Sequence, residues 1–272
     1  MQIVQPVADS GVRLLCPTGL NPLFIVLTHA VLGFIAAALL IARPNGFLLV
    51  AAILLQLKTL LDNMDGGLAR ATGQITLMGR YFDTGMDFFV NAALFAALAI
   101  YGSALQSLIA FILLTFILSL DYNAERLYKL ERYGPPENSN PPVGAPRPLY
   151  TFFKGFYDNV LAPQDRAIAK FDKTYFKVLS GITFDRASHE LRLAWADLFS
   201  TAALVNLGLS TQLFILGVCL VMGQPFWYIY SLFIQTLYVL SIQALRGVRF
   251  RRHLRRLEQS KAQTDTASEQ GA

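Results

Sequence analysis

Long apolar runs separated by short polar connections set the pattern of this chain. Six stretches, at 22–42, 47–69, 80–101, 103–123, 196–221 and 225–245, can each cross the bilayer as a helix. Crossing about 30 Å of hydrocarbon takes roughly 20 residues. The pattern predicts an all-α integral membrane protein with six transmembrane helices. Val4 to Leu15 predicts a short interfacial helix within an N-terminal segment, 1–21. That segment lacks the charged, apolar, small-residue order of a cleavable signal, so it is expected to stay.

Spans one to four fill 22–124, and spans five and six fill 193–245. Between them lies a polar insertion, 125–192, whose stretch 134–148 is Pro-rich and cannot be regular helix. Residues 149–182 interleave aromatics with Lys and Asp, which suits either amphipathic helices at a membrane interface or a small cap of packed helices. The last part, 246–272, is basic, and its polar end from 258 is expected to be disordered.

Composition agrees with the pattern: 54% of the 272 residues are hydrophobic and 15% are charged. The mean hydropathy is +0.44. These values exclude an ordinary soluble domain. Two cysteines, Cys16 and Cys219, make neither a disulfide framework nor a metal site. The net charge of +5 is unevenly placed, with seven Lys or Arg and one Glu in 246–261. A basic run directly after an apolar span reads as an anchor against anionic lipid headgroups, not as a nucleic-acid contact. The insertion 125–192 carries eleven Lys or Arg, while the connections at 43–46, 102 and 222–224 carry one, Arg43. Positive-inside reasoning therefore puts both termini, the insertion and the turn at 70–80 in the cytoplasm.

That turn joins the segments with the most chemistry. Asp62-Asn63-Met64-Asp65-Gly66-Gly67-Leu68-Ala69-Arg70 ends the second span, and Gly79-Arg80-Tyr81-Phe82-Asp83-Thr84-Gly85-Met86-Asp87 opens the third. A carboxylate in or near hydrocarbon is costly unless paired, hydrated or bound to a cation. On a helix, Asp62, Asp65, Gly66 and Ala69 share one face, as do Gly79, Asp83 and Asp87 on the next. A turn around Thr72-Gly73-Gln74 makes the two helices antiparallel neighbours, so their acidic faces can converge on one cleft. Oxygen donors without accompanying Cys or His suit Mg2+ or Mn2+. Four Asp can bridge two ions about 3.5–4 Å apart, the arrangement that clamps attacking and leaving oxygens in phosphoryl displacement. Arg70 and Arg80 flank the cleft, where they either hold phosphate oxygens or pair with the Asp cluster.

The string Asp62-x-x-Asp65-Gly66-x-x-Ala69-Arg70, eight residues, Gly79-x-x-x-Asp83-x-x-x-Asp87 resembles the signature of the CDP-alcohol phosphotransferase (CDP-alcohol phosphatidyltransferase) family at every fixed position. The resemblance implies a membrane enzyme of phospholipid synthesis, homodimeric, in the bacterial cytoplasmic membrane. Such an enzyme transfers a phosphatidyl group from CDP-diacylglycerol to a small polar alcohol and releases CMP. By position, it implies that Asp62, Asp65, Asp83 and Asp87 serve the metal site, with Asp87 as general base. Gly66, Ala69, Arg70 and Gly79 then line the CDP pocket. Asn21-Pro22 with Thr28 echoes the family's N-terminal pattern only loosely.

Other residues remain ambiguous. Arg126 and Lys129, after the fourth span, are candidates for an anionic acceptor, although positive-inside bias also explains them. Lys58, one turn before Asp62, is read as a structural ion pair. Asp121 is open to either reading. His29 is read as a packed histidine, not a ligand, while His189 and His253 carry no signal. Phe226 to Tyr230 suggests an interfacial aromatic belt. Two other functions fit the pattern: transfer of a CDP-linked head group onto a lipid alcohol, and cation-coupled transport using the buried Asp.

Overall fold

A computed structural model describes residues 4–42, 47–134 and 147–270. Among the described residues every regular element is helical. Six helical spans are long and apolar enough to cross a membrane: Pro22–Ala42, Phe47–Ala71, Leu77–Tyr101, Ala104–Tyr133, His189–Val221 and Trp227–Ser260. The protein is an all-α integral membrane protein, as the hydrophobic pattern predicts.

Helix α1 (Val4–Leu15) precedes α2 (Pro22–Ala42), α3 (Phe47–Ala71) and α4 (Leu77–Leu98). Thr76 caps the start of α4 by accepting a hydrogen bond from the Gly79 amide at 3.0 Å, which fixes the turn between the two acidic segments. Small residues let these helices approach closely. A Cβ on Gly33 of α2 would lie 2.4 Å from Val90 of α4. Where α1 crosses α3, a Cβ on Gly11 would lie 2.4 Å from Met64. Ala30, Ala36, Ala37, Ala51 and Ala52 join Leu55, Leu94 and Phe95 in the principal core.

The fourth span is α5 (Ala104–Tyr133). The fifth departs from the single helix expected over 196–221, being built from α8 (His189–Trp195), α9 (Leu198–Val205) and α10 (Leu209–Val221). Asp197 caps α9, accepting from the Ser200 amide at 3.4 Å. The chain then breaks at Asn206–Gly208, where the Asp121 carboxylate packs against Gly208; a Cβ there would lie 2.9 Å from Oδ2. A broken helix inside hydrocarbon leaves backbone groups needing partners. Gln212, fully buried, donates to the Leu207 carbonyl at 2.9 Å and to Gln235 Oε1 at 2.6 Å. Tyr228 in turn donates to Gln212 Oε1 at 3.2 Å.

The insertion packs against the membrane-spanning helices. Helix α6 (Arg147–Phe156) continues through a wider turn at Tyr157–Leu161 into α7 (Ala162–Ser180). Phe153 of α6 lies on Gly85 of α4, where a Cβ would be 2.5 Å from its ring, and stacks edge-on against Phe82. Phe176, Phe184, Trp195 and Phe250 make a second aromatic core joining α7, α8 and the last helix, α11 (Trp227–Gln270). Most of the Pro-rich connector, 135–146, lies outside the described residues, as does Arg43.

Two expectations for the C-terminal part are corrected. The polar end is helical, since α11 runs to Gln270; no Gly or Pro lies between 258 and 270. The basic run is also not wholly a lipid anchor. Buried Arg246 donates to Asp172 Oδ1 at 2.6 Å and to the Trp195 carbonyl at 3.0 Å. Its guanidinium lies over the Trp195 ring, 4.0 Å from the centroid, while the Trp195 indole donates to Asp172 Oδ2 at 2.9 Å. Arg249 pairs with Asp197 at 3.4 Å.

Candidate active site

The helical period puts Asp62 and Asp65 on one face of α3, and Asp83 and Asp87 on one face of α4. Packing of these helices against α2 brings three of the four together. Asp62, Asp65 and Asp83 each offer a carboxylate oxygen, and His29 a ring nitrogen, all within 4.8 Å of one another. His29 is completely buried, and its Nε2 lies 3.3 Å from Asp65 Oδ2, 3.4 Å from Asp83 Oδ1 and 3.8 Å from Asp62 Oδ1. The reading of His29 as a merely packed histidine is therefore corrected.

Equal depth explains the meeting. His29 lies seven residues inside the start of α2, Asp62 and Asp65 nine and six before the end of α3, and Asp83 six inside α4. At 1.5 Å per residue these positions share a layer about 9–14 Å from those helix ends. Val26, His29, Ala30 and Gly33 also share one small, buried face of α2. A histidine on that face and at that depth was the signal the sequence held.

Asp87 stands apart from this group. Its Oδ1 accepts from Lys58 Nζ at 2.6 Å, and the ammonium is buried between α3 and α4. Lys58 is thus a structural ion pair, made across helices with Asp87 and not along α3 with Asp62. Asp62, Asp83 and Asp87 line a cavity of about 510 Å3, with Asp121 and Glu125 of α5 and Asp165 of α7 on another wall. Asp121 is thereby placed at the site, its Oδ1 buried without a hydrogen-bond partner among the described residues. Asp165 accepts from the Ser119 hydroxyl. Burial raises the Asp165 carboxyl above the usual range in spite of that bond, and pushes the Tyr157 phenol on the same wall up to about 12.

The flanking cations divide. Arg80 lines the cavity and donates to the Tyr122 hydroxyl at 2.5 Å, while Arg70 folds back over its own helix, 3.4 Å from where a Gly66 Cβ would sit. Gly66, Ala69 and Gly79 lie at the turn end of α3 and α4, outside the cavity wall. Arg126 and Lys129, the expected acceptor contacts, are not among the residues that line this cavity. Exposed Lys129 pairs with Glu125 at 2.7 Å, one turn back along α5. Arg126 lines a separate cavity of about 260 Å3 beside Asp172 and Arg246.

The residues present fit a divalent cation. Three carboxylates at least partly withdrawn from water, facing one imidazole, demand positive charge, and their oxygens are the hard donors such ions take.

No curated protein and no solved structure matches the chain. Residues 20–139, which hold α2 to α5 and the whole acidic motif, match the family model described as CDP-alcohol phosphatidyltransferase. Over this segment the chain is similar to the CDP-alcohol phosphatidyltransferase family.

Proposed function

We propose that the protein is a metal-dependent enzyme of phospholipid synthesis, transferring a phosphatidyl group from CDP-diacylglycerol to a small polar alcohol with release of CMP. The observation that carries this reading is the meeting of Asp62, Asp65 and Asp83 beside the cavity that Asp87 lines. The family match over the same residues supports it.

Asp62, Asp65 and Asp83 would hold Mg2+ or Mn2+, as one ion or a pair. The metal supplies neutralisation of diphosphate charge and fixes the direction of displacement. The protein's own residues do the rest. Gly66, Ala69 and Gly79 give a backbone without bulk at the turn end of the helices, where the cytidine diphosphate is placed beside Arg70. Arg80, steadied by Tyr122, meets phosphate oxygens at the cavity wall. Asp87 takes the proton of the attacking alcohol. Its Oδ1 is held by Lys58, which orients the carboxylate and leaves Oδ2 for that proton. The alcohol oxygen attacks the phosphorus distal to cytidine, and the bond to the CMP oxygen breaks. The positive insertion and tail support a cytoplasmic face for this site.

Purified protein supplied with CDP-diacylglycerol and a panel of alcohols tests the proposal. CMP should appear with an acceptor and divalent metal and stop with a chelator. CMP from CDP-choline and diacylglycerol instead would reverse the roles of donor and acceptor. Asp83-dependent ion flux with no CMP from either donor would make the protein a transporter.

A further inference from the structure

The acidic motif accounts for three of the four side chains that meet in the membrane; the fourth, His29, comes from a helix carrying none of the motif. We infer that His29 is itself a metal ligand, making the site one of nitrogen and three oxygens that favours Mn2+ over Mg2+. The inference rests on the proposed metal-dependent function and adds a ligand and a metal preference to it.

The spacing supports it. Donors about 2.0–2.2 Å from a common ion lie about 3.0 Å apart when adjacent in an octahedron and about 3.4 Å apart in a tetrahedron. His29 Nε2 stands 3.3, 3.4 and 3.8 Å from the three Asp oxygens. A hydrogen bond satisfies only one of these contacts at a time, because Nε2 carries at most one N–H and three carboxylates surround it, whereas an ion shared by all four groups meets every one. Nδ1 is buried and has no hydrogen-bond partner among the described residues. The tautomer that frees the Nε2 lone pair carries its proton on Nδ1, where no donor opposes it and where metal binding must offset the unpaired N–H. The ring is anchored as well, since α2 packs on α4 through Gly33 and Val90 one turn further on.

The chemical consequence follows from the donor set. Mg2+ binds oxygen almost exclusively and dehydrates reluctantly, whereas imidazole raises affinity along the first transition row. One nitrogen among three carboxylate oxygens keeps the site hard enough for Mn2+ and discriminates against Mg2+.

Pulsed electron paramagnetic resonance on the detergent-purified full chain loaded with Mn2+ tests this directly, because it detects a nitrogen nucleus bound to the ion. The wild-type protein should show 14N coupling that persists in the His189→Gln/His253→Gln double variant and vanishes in His29→Gln. His29→Gln should also bring the preference for Mn2+ over Mg2+ down by about tenfold. Mn2+ held by the protein and released by Asp83→Asn, yet lacking 14N coupling, would overturn the ligand role and leave the proposed function standing. The same follows if coupling persists in His29→Gln. Loss of coupling in the His189/His253 variant would assign the nitrogen elsewhere and overturn it too. Should His29→Gln fail to fold, the wild type and that double variant still decide. Absence of any bound Mn2+ would overturn the metal-dependent function and this inference together.

Discussion

Lys58 Nζ lies 2.6 Å from Asp87 Oδ1, joining α3 to α4 through an ion pair whose ammonium is sealed from solvent. Opposite charges taken out of water are tolerated only as a pair, and removing one partner strands the other. Lys58→Met should therefore cost about 3–5 kcal/mol, read from unfolding in mixed detergent micelles. Lys58→Met/Asp87→Asn should recover most of that stability without recovering turnover. Equal stability of the Lys58 variant and wild type would remove the pair as a structural element.

The two ends of the acidic motif should fail differently. Asp62→Ala or Asp83→Ala should lower metal-dependent CMP release by at least about 100-fold, with loss of Mn2+ binding in the same preparation. Asp87→Asn should depress kcat while leaving KM for the CDP substrate within a few-fold and keeping the metal. An unchanged kcat would take the base role from Asp87.

Gly85 and Phe153 test how the insertion is seated. An added Cβ at 85 meets the Phe153 ring, which is wedged against Phe82 with centroids 5.0 Å apart. Gly85→Ala should cost about 1–3 kcal/mol by overpacking. In Gly85→Ala/Phe153→Ala the two losses should add to less than their sum. Additive losses would mean that the residues do not touch in the membrane.

The break in the fifth span gives a further test. Gln212→Leu removes the side-chain donor to the Leu207 carbonyl and should cost about 1–3 kcal/mol, the usual penalty for a buried polar group left unpaired. Thermal unfolding in detergent reads this, and an unaltered midpoint would show that another group satisfies the carbonyl.

Much of the candidate site was legible before the fold was known. The Asp at 62, 65, 83 and 87 stood out because acids are costly near hydrocarbon, and the helical period put them on facing sides of neighbouring spans. Nothing along the chain marks His29, because a single histidine in an apolar span is ordinarily packing. Arg126 and Lys129 stand out through charge alone, and Lys129 spends its charge on Glu125 one turn back along α5. Arg246 counted as one more cation in a basic run, and nothing in its neighbours along the chain showed that Asp172 and Trp195 would enclose it. The break at Asn206–Gly208 is met by a group far along the chain, the Asp121 carboxylate against Gly208, and by Gln212 on the Leu207 carbonyl.

By itself the sequence determined the six spans, the polar insertion between the fourth and fifth, and the acidic motif. Those properties depend on local apolar length, helical period and the cost of charge in hydrocarbon. Tertiary structure decided that His29 joins Asp65 across 36 positions of chain, and that Lys58 takes Asp87 across 29. Such pairings follow from the depth and rotation at which helices pack, which small residues such as Gly33 permit. Their energy comes from excluding water between helices, and no run of neighbouring residues records it.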